Sequence, residues 1–132
     1  MPTYIALLHS IVLTPERRVI MADLRAMAEE NGCRNPRTLV SSGNLVFEAR
    51  RQSIATLEVK LEKAFPQRFG RHVDIIARDA DHWRALVAGN PFPQESTIDG
   101  DRVSCRIMRD ALDDRALTEL TPYATNGEKI AI

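Results

Sequence analysis

Arg37-Thr38-Leu39-Val40-Ser41-Ser42-Gly43-Asn44-Leu45-Val46-Phe47 reads as one strand, a tight polar turn and a second strand. Thr38-Leu39-Val40 and Leu45-Val46-Phe47 are rich in strand formers, and Gly43-Asn44 supplies the positive φ that a short hairpin turn requires. The other elements can be placed by working outward from this hairpin.

Upstream, Tyr4-Ile5-Ala6-Leu7-Leu8 is a continuous apolar run. It is short, so it fits a buried central strand better than a helix. Thr14-Pro15 can open a helix, since threonine caps and proline suits the first helical position. Ile20, Leu24 and Met27 then recur at helical spacing, and Asn31-Gly32 offers a left-handed stop. Downstream, Ser53 caps a second helix with Leu57, Leu61, Ala64 and Phe65 on one face. Pro66 is expected to interrupt that helix, because it lacks the amide the next turn needs. Val73-Asp74-Ile75-Ile76 reads as a fourth strand.

Residues 3–77 therefore read β-α-β-β-α-β, the order of a ferredoxin-like α+β unit. Right-handed crossovers place the first and third strands in the middle, antiparallel to each other, with both helices on one face. We expect this unit to occupy residues 1–78, followed by a partial second half over 79–132 with the order α-β-α-β. In that half Asp79 or Asp81 caps a helix bearing Trp83, Leu86 and Val87. Val103–Met108 is a strand, Asp110 caps a helix with Leu112, Ala116, Leu117 and Leu120, and Lys129–Ile132 begins another strand. Val103, Cys105 and Ile107 alternate, which puts all three on one face and predicts a core position for Cys105. Trp83 is expected to anchor a core.

The chain has 132 residues and 44% hydrophobic content, enough for one domain with a sizeable core. Lys and Arg number 18, as do Asp and Glu. That balance lacks the cationic field of most nucleic-acid binders. Cys33 and Cys105 form no CxxC or Cys/His cluster, so neither a zinc site nor any other metal or cofactor is expected. Two thiols without an export leader point to a reduced, cytoplasmic setting. No apolar run approaches the roughly 20 residues of a membrane span.

Tyr4-Ile5-Ala6-Leu7-Leu8, Met21-Ala22-Asp23-Leu24-Arg25, Ser42-Gly43-Asn44-Leu45-Val46-Phe47 and Asn90-Pro91-Phe92 keep the order and approximate spacing of a bacterial family. The family that the chain resembles is catalogued as domain of unknown function 1697. The resemblance covers residues 3–92 and more loosely the remainder. It implies a ferredoxin-like unit with a second, related α/β half, and no established activity. Two departures stand out. After the first strand the family carries an Arg-Gly-Ile-Asn run, and here His9-Ser10-Ile11-Val12-Leu13-Thr14 keeps the isoleucine alone. The family's C-terminal Arg-Asn-Trp-Asn type segment is absent, as in a shortened copy.

With this topology His9, Ser10, Ser41, Ser42, Gly43, Asn44 and Arg71 converge on one rim, together with His72. A small ligand or anion could bind there. Gly43 would let backbone amides approach, Ser and Asn would donate hydrogen bonds, and Arg71 or a histidine would supply charge. The simpler account is that Ser-Ser-Gly-Asn is turn chemistry and His9 ends a strand.

Nucleophilic attack by Ser42 with His9 as base, beside Asn44, lacks a carboxylate to orient the histidine and a nucleophile-elbow pattern. Pro2, a base in some tautomerases when it is N-terminal, falls on the opposite edge with no partner to name. RNA binding, suggested by the shared topology, would need exposed aromatics that the two central strands do not carry beyond Tyr4 and Phe47. Leu7 and Val46 instead suggest an apolar sheet face that needs a cover. The expectation is a non-enzymatic domain that forms a homo-oligomer and takes a small-molecule ligand at the hairpin rim. A small-molecule enzyme and a weakly RNA-binding module are the competing classes.

Overall fold

The structure, a computed structural model, describes residues 1–9, 11, 18–40 and 43–132. The helix start expected at Thr14-Pro15 lies outside them. The chain divides into two compact units, Met1–Ala88 and Gly89–Ile132.

The first unit is a mixed α+β structure. Strand β1 spans Thr3–Leu8, helix α1 Met21–Glu30, β2 Arg34–Leu39, β3 Asn44–Glu48, helix α2 Ile54–Phe69, β4 Ile75–Asp79 and helix α3 Ala80–Ala88. The strands form one antiparallel sheet in the order β2-β3-β1-β4. The two central strands are therefore the first and the third, as the hairpin reading required.

Alternation explains the core. Tyr4, Ala6 and Leu8 of β1, Leu45 and Phe47 of β3, and Ile75 and Ala77 of β4 are buried on one face. Leu24, Met27 and Ala28 from α1, and Leu57, Leu61, Ala64 and Phe65 from α2, join them in the same cluster. Each large side chain so buried contributes about 1.5–3 kcal/mol. The helix ends obey local chemistry. Ser53 Oγ accepts the amide of Thr56 at 3.1 Å at the start of α2, and Gly70 ends it in the left-handed region. Asp79 accepts the amide of His82 at 2.7 Å at the start of α3.

The opposite face of the sheet differs. Ile5, Leu7, Val46 and Ile76 are half-buried there, and Leu39 is 66% exposed. Ladder pairing puts Arg37 beside Val46 and Arg34 beside Glu48 on this same face.

Both outer strands are modified. Ile75 and Ala77 of β4 donate their amides to Glu62 and Glu58 of α2, each at 2.9 Å. Strand β2 contains Pro36 and a register shift between Arg34 and Arg37. Asn35 (φ 49°) and Val40 (φ 54°) both adopt left-handed backbone.

The structure corrects several expectations. Pro66 does not stop α2, which runs on to Phe69. The proline sits in the last turn, where one lost bond is tolerated while the tilted rings of Phe65 and Phe69 pack with their centres 4.5 Å apart. The first unit includes α3, which packs against β1 and β4.

The second unit is helical. It contains α4 (Pro93–Ile98), α5 (Asp114–Leu120) and single 3-10 turns at Gly100–Arg102 and Thr121–Tyr123. Neither Val103–Met108 nor Lys129–Ile132 is a strand. The alternation of Val103, Cys105 and Ile107 is present, but among the described residues no ladder partner accompanies it. Cys105 is accordingly exposed rather than in a core, and Trp83 is half-buried. Asp113, not Asp110, caps α5 by accepting the amide of Ala116 at 3.3 Å.

Candidate functional site: the hairpin rim

Backbone bonds build the rim. The amide of Leu8 donates to the Gly43 carbonyl at 3.2 Å, and the amide of His9 donates to the Asp74 carbonyl at 3.0 Å. The end of β1 therefore ties together the hairpin turn and the lead into β4. This brings His9, Gly43, Asn44 and Arg71 to one edge of the sheet. Ser10, Ser41 and Ser42 lie outside the described residues.

Gly43 has a structural duty at this edge. Its φ is 88°, and a Cβ added there would lie 2.6 Å from Ile11 Cδ1 and 3.1 Å from Leu8 Cβ. Ile11 is 1% exposed, so the space a side chain would need is filled by a core isoleucine. Ile11 was not among the expected site residues. Its signal was that it alone keeps the residue of the Arg-Gly-Ile-Asn run that the resembled family carries after the first strand.

The basic side chains on the rim are Arg71, His9 and His72. Arg71 Nη2 donates to the Ile11 carbonyl at 3.4 Å, and its guanidinium carbon lies 5.8 Å from the centre of the Phe65 ring. The arginine thus holds the backbone of the same Ile11 whose side chain fills the space at Gly43. His72 Nε2 is 3.1 Å from Asp74 Oδ1, both side chains being largely exposed. His9 is exposed and Asn44 half-buried. Chemically the rim offers a guanidinium, two imidazoles and a glycine turn, a set suited to an anion.

Nucleophile chemistry has less to work with. Burial pushes the Cys33 thiol up to about 11, partly offset by the Lys60 ammonium, so it stays protonated at neutral pH. Among the described residues no group of three or more His, Cys, Asp or Glu could hold a metal ion. Among them, too, no helix is long and apolar enough to cross a membrane.

Among solved structures, the chain is similar to the conserved bacterial protein SP0830 from Streptococcus pneumoniae, with a TM-score of 0.63 and 24% identity. The match covers 75% of this chain and 53% of that one, so it spans about half the length of the neighbour. At that identity the likeness is one of α/β fold. No curated protein matches. The family described as "Protein of unknown function (DUF1697)" matches residues 1–132, and the chain belongs to that family.

Proposed function

We propose that the chain is a non-enzymatic domain of ferredoxin-like architecture that associates with further copies of itself. The architectural part is supported by the β-α-β-β-α-β order of the first unit and by its β2-β3-β1-β4 sheet.

One observation carries the association. Within Gly89–Ile132, all of which is described, no residue is buried. Yet Ile98, Met108, Leu112, Leu120, Tyr123 and Ile132 are all exposed large apolar side chains, from 43% for Leu120 to 85% for Ile98. A segment without a core of its own draws its stability from a surface it docks on. The free cysteines suit a reducing, cytoplasmic setting.

Light scattering on the eluting protein tests the reading. A dimer or larger closed assembly is expected at micromolar concentration. A strict monomer at the highest soluble concentration would overturn it.

A second role is favoured by the rim itself: a small anionic ligand held by Arg71, His9 and the Gly43-Asn44 turn, with Ser10, Ser41 and Ser42 as further donors. Thermal shifts against phosphate and simple carboxylates check this. A shift in the parent chain that disappears in His9→Ala is the expected sign, and no shift in the parent removes the reading.

A further inference from the structure

The two units carry opposite charge. In residues 1–88 Lys and Arg outnumber Asp and Glu by 13 to 10, and in residues 89–132 the balance reverses to 5 against 8. The acidic unit exposes apolar side chains and buries none of its residues. The basic unit has a sheet face to match. Leu39 at 66% exposure, with half-buried Val46, Ile5 and Leu7, forms its apolar part, and Arg37 and Arg34 are exposed on it.

Among the described residues, the sheet's other face is packed and both of its edges are bonded or interrupted. The helix-bearing face is packed by α1 and α2, and the residues of β1, β3 and β4 that join their core are at most 6% exposed. The β4 edge has the Ile75 and Ala77 amides bonded to carboxylates. The β2 edge is interrupted by Pro36, which has no amide to offer, and by its register shift.

We propose that the Leu39/Val46 face of one copy receives the acidic unit of a second copy, exchanged reciprocally about a two-fold axis. The inference rests on the self-association reading and adds which surfaces meet. On the incoming unit α5 offers the pattern required. Leu117 and Leu120 lie three residues apart and so share a side of the helix. Asp113, Asp114 and Glu119 stand beside them to meet Arg34 and Arg37. Gly89-Asn90-Pro91 joins the units and is the place for the exchange hinge.

Cys105 gives a direct test in the full chain. It is exposed, whereas Cys33 is buried, so a nitroxide reagent attaches to Cys105 alone. Copies labelled in this way are mixed with isotope-labelled Cys105→Ala copies. The Leu39, Val46, Ile5 and Leu7 amides of the isotope-labelled copies are expected to lose intensity, while those of α1 keep theirs. A dimer by light scattering in which the isotope-labelled copies lose intensity elsewhere, or nowhere, overturns this inference and leaves self-association standing. A monomer overturns both.

Arg37→Glu, at an exposed position that leaves the core intact, is the second measurement. It is expected to raise the dimer dissociation constant about two- to five-fold, the worth of an exposed ion pair. An unchanged constant would remove the argument from charge.

Discussion

Glu58 Oε2 lies 2.9 Å from the backbone nitrogen of Ala77, and Ala77 is fully buried. A helix side chain thus does for an outer strand what a fifth strand would otherwise do. Glu58 is itself only 8% exposed, and Glu62 repeats the arrangement at Ile75. The carboxylates are acceptors without donors of their own, so the strand amides suit them and an incoming strand finds those amides taken.

Replacing Glu58 by Ala leaves the Ala77 amide buried without an acceptor. The expected loss is about 1–3 kcal/mol in denaturant unfolding, with faster hydrogen exchange at Ala77. Glu58→Gln keeps a carbonyl acceptor and should lose less. Equal losses in the two variants would show that the bond contributes little.

Gly43→Ala combines a left-handed backbone with an overlap on Ile11. The expected cost is about 2–4 kcal/mol. Ile11→Val removes the Cδ1 atom that stands 2.6 Å from the added methyl group. Coupling of the two substitutions in a double-mutant cycle checks that the clash, and not the backbone alone, sets the cost.

The Cys33 thiol is raised in the folded chain from its ordinary value of 9.0 to about 11. The folded state therefore binds the proton more tightly. Its contribution is fully present below about pH 9 and is lost as pH rises toward 11, up to about 3 kcal/mol. Cys33→Ala should flatten that part of the stability profile. At neutral pH a thiol reagent should count one reactive cysteine, Cys105, in the native chain and two after unfolding.

Hydrogen exchange should divide the chain at Ala88. The amides of β1, β3 and α2 are expected to exchange slowly at every concentration. Those of α4 and α5 should exchange quickly in dilute solution and slow down as the assembly forms, since no buried residue shields them within their own unit. Concentration-independent exchange in residues 89–132 would contradict the association.

The first unit was legible because its signals agree with one another. The Leu45-Val46-Phe47 alternation, the Gly43 turn and the Ser53 cap each specify local structure that the core then uses. Pro66 was misread because local propensity says nothing of Phe65 and Phe69, whose packing holds the last turn of α2. Val103–Met108 was misread for the opposite reason. Its alternation is real, but a strand also needs a partner that a pattern cannot supply. At the rim, topology alone brought His9, Gly43 and Arg71 together, whereas the filling of Gly43 by Ile11 depends on side-chain volume. The Glu58 and Glu62 bonds were invisible because a carboxylate on a helix looks like a solvated charge until the strand beneath it is placed.

Asn35 and Val40 bound β2 with two left-handed residues, one just inside its start and one just past its end. Between them lies a straight run from Pro36 to Leu39, shorter than the segments of about six residues from which ordered fibres grow. A growing fibre must offer the same edge at each addition, and this strand changes direction before such an edge is long enough. The hairpin at the centre of the fold is thereby kept from acting as a template. Crowding the protein should yield particles of fixed size rather than filaments, with scattering that levels off as concentration rises.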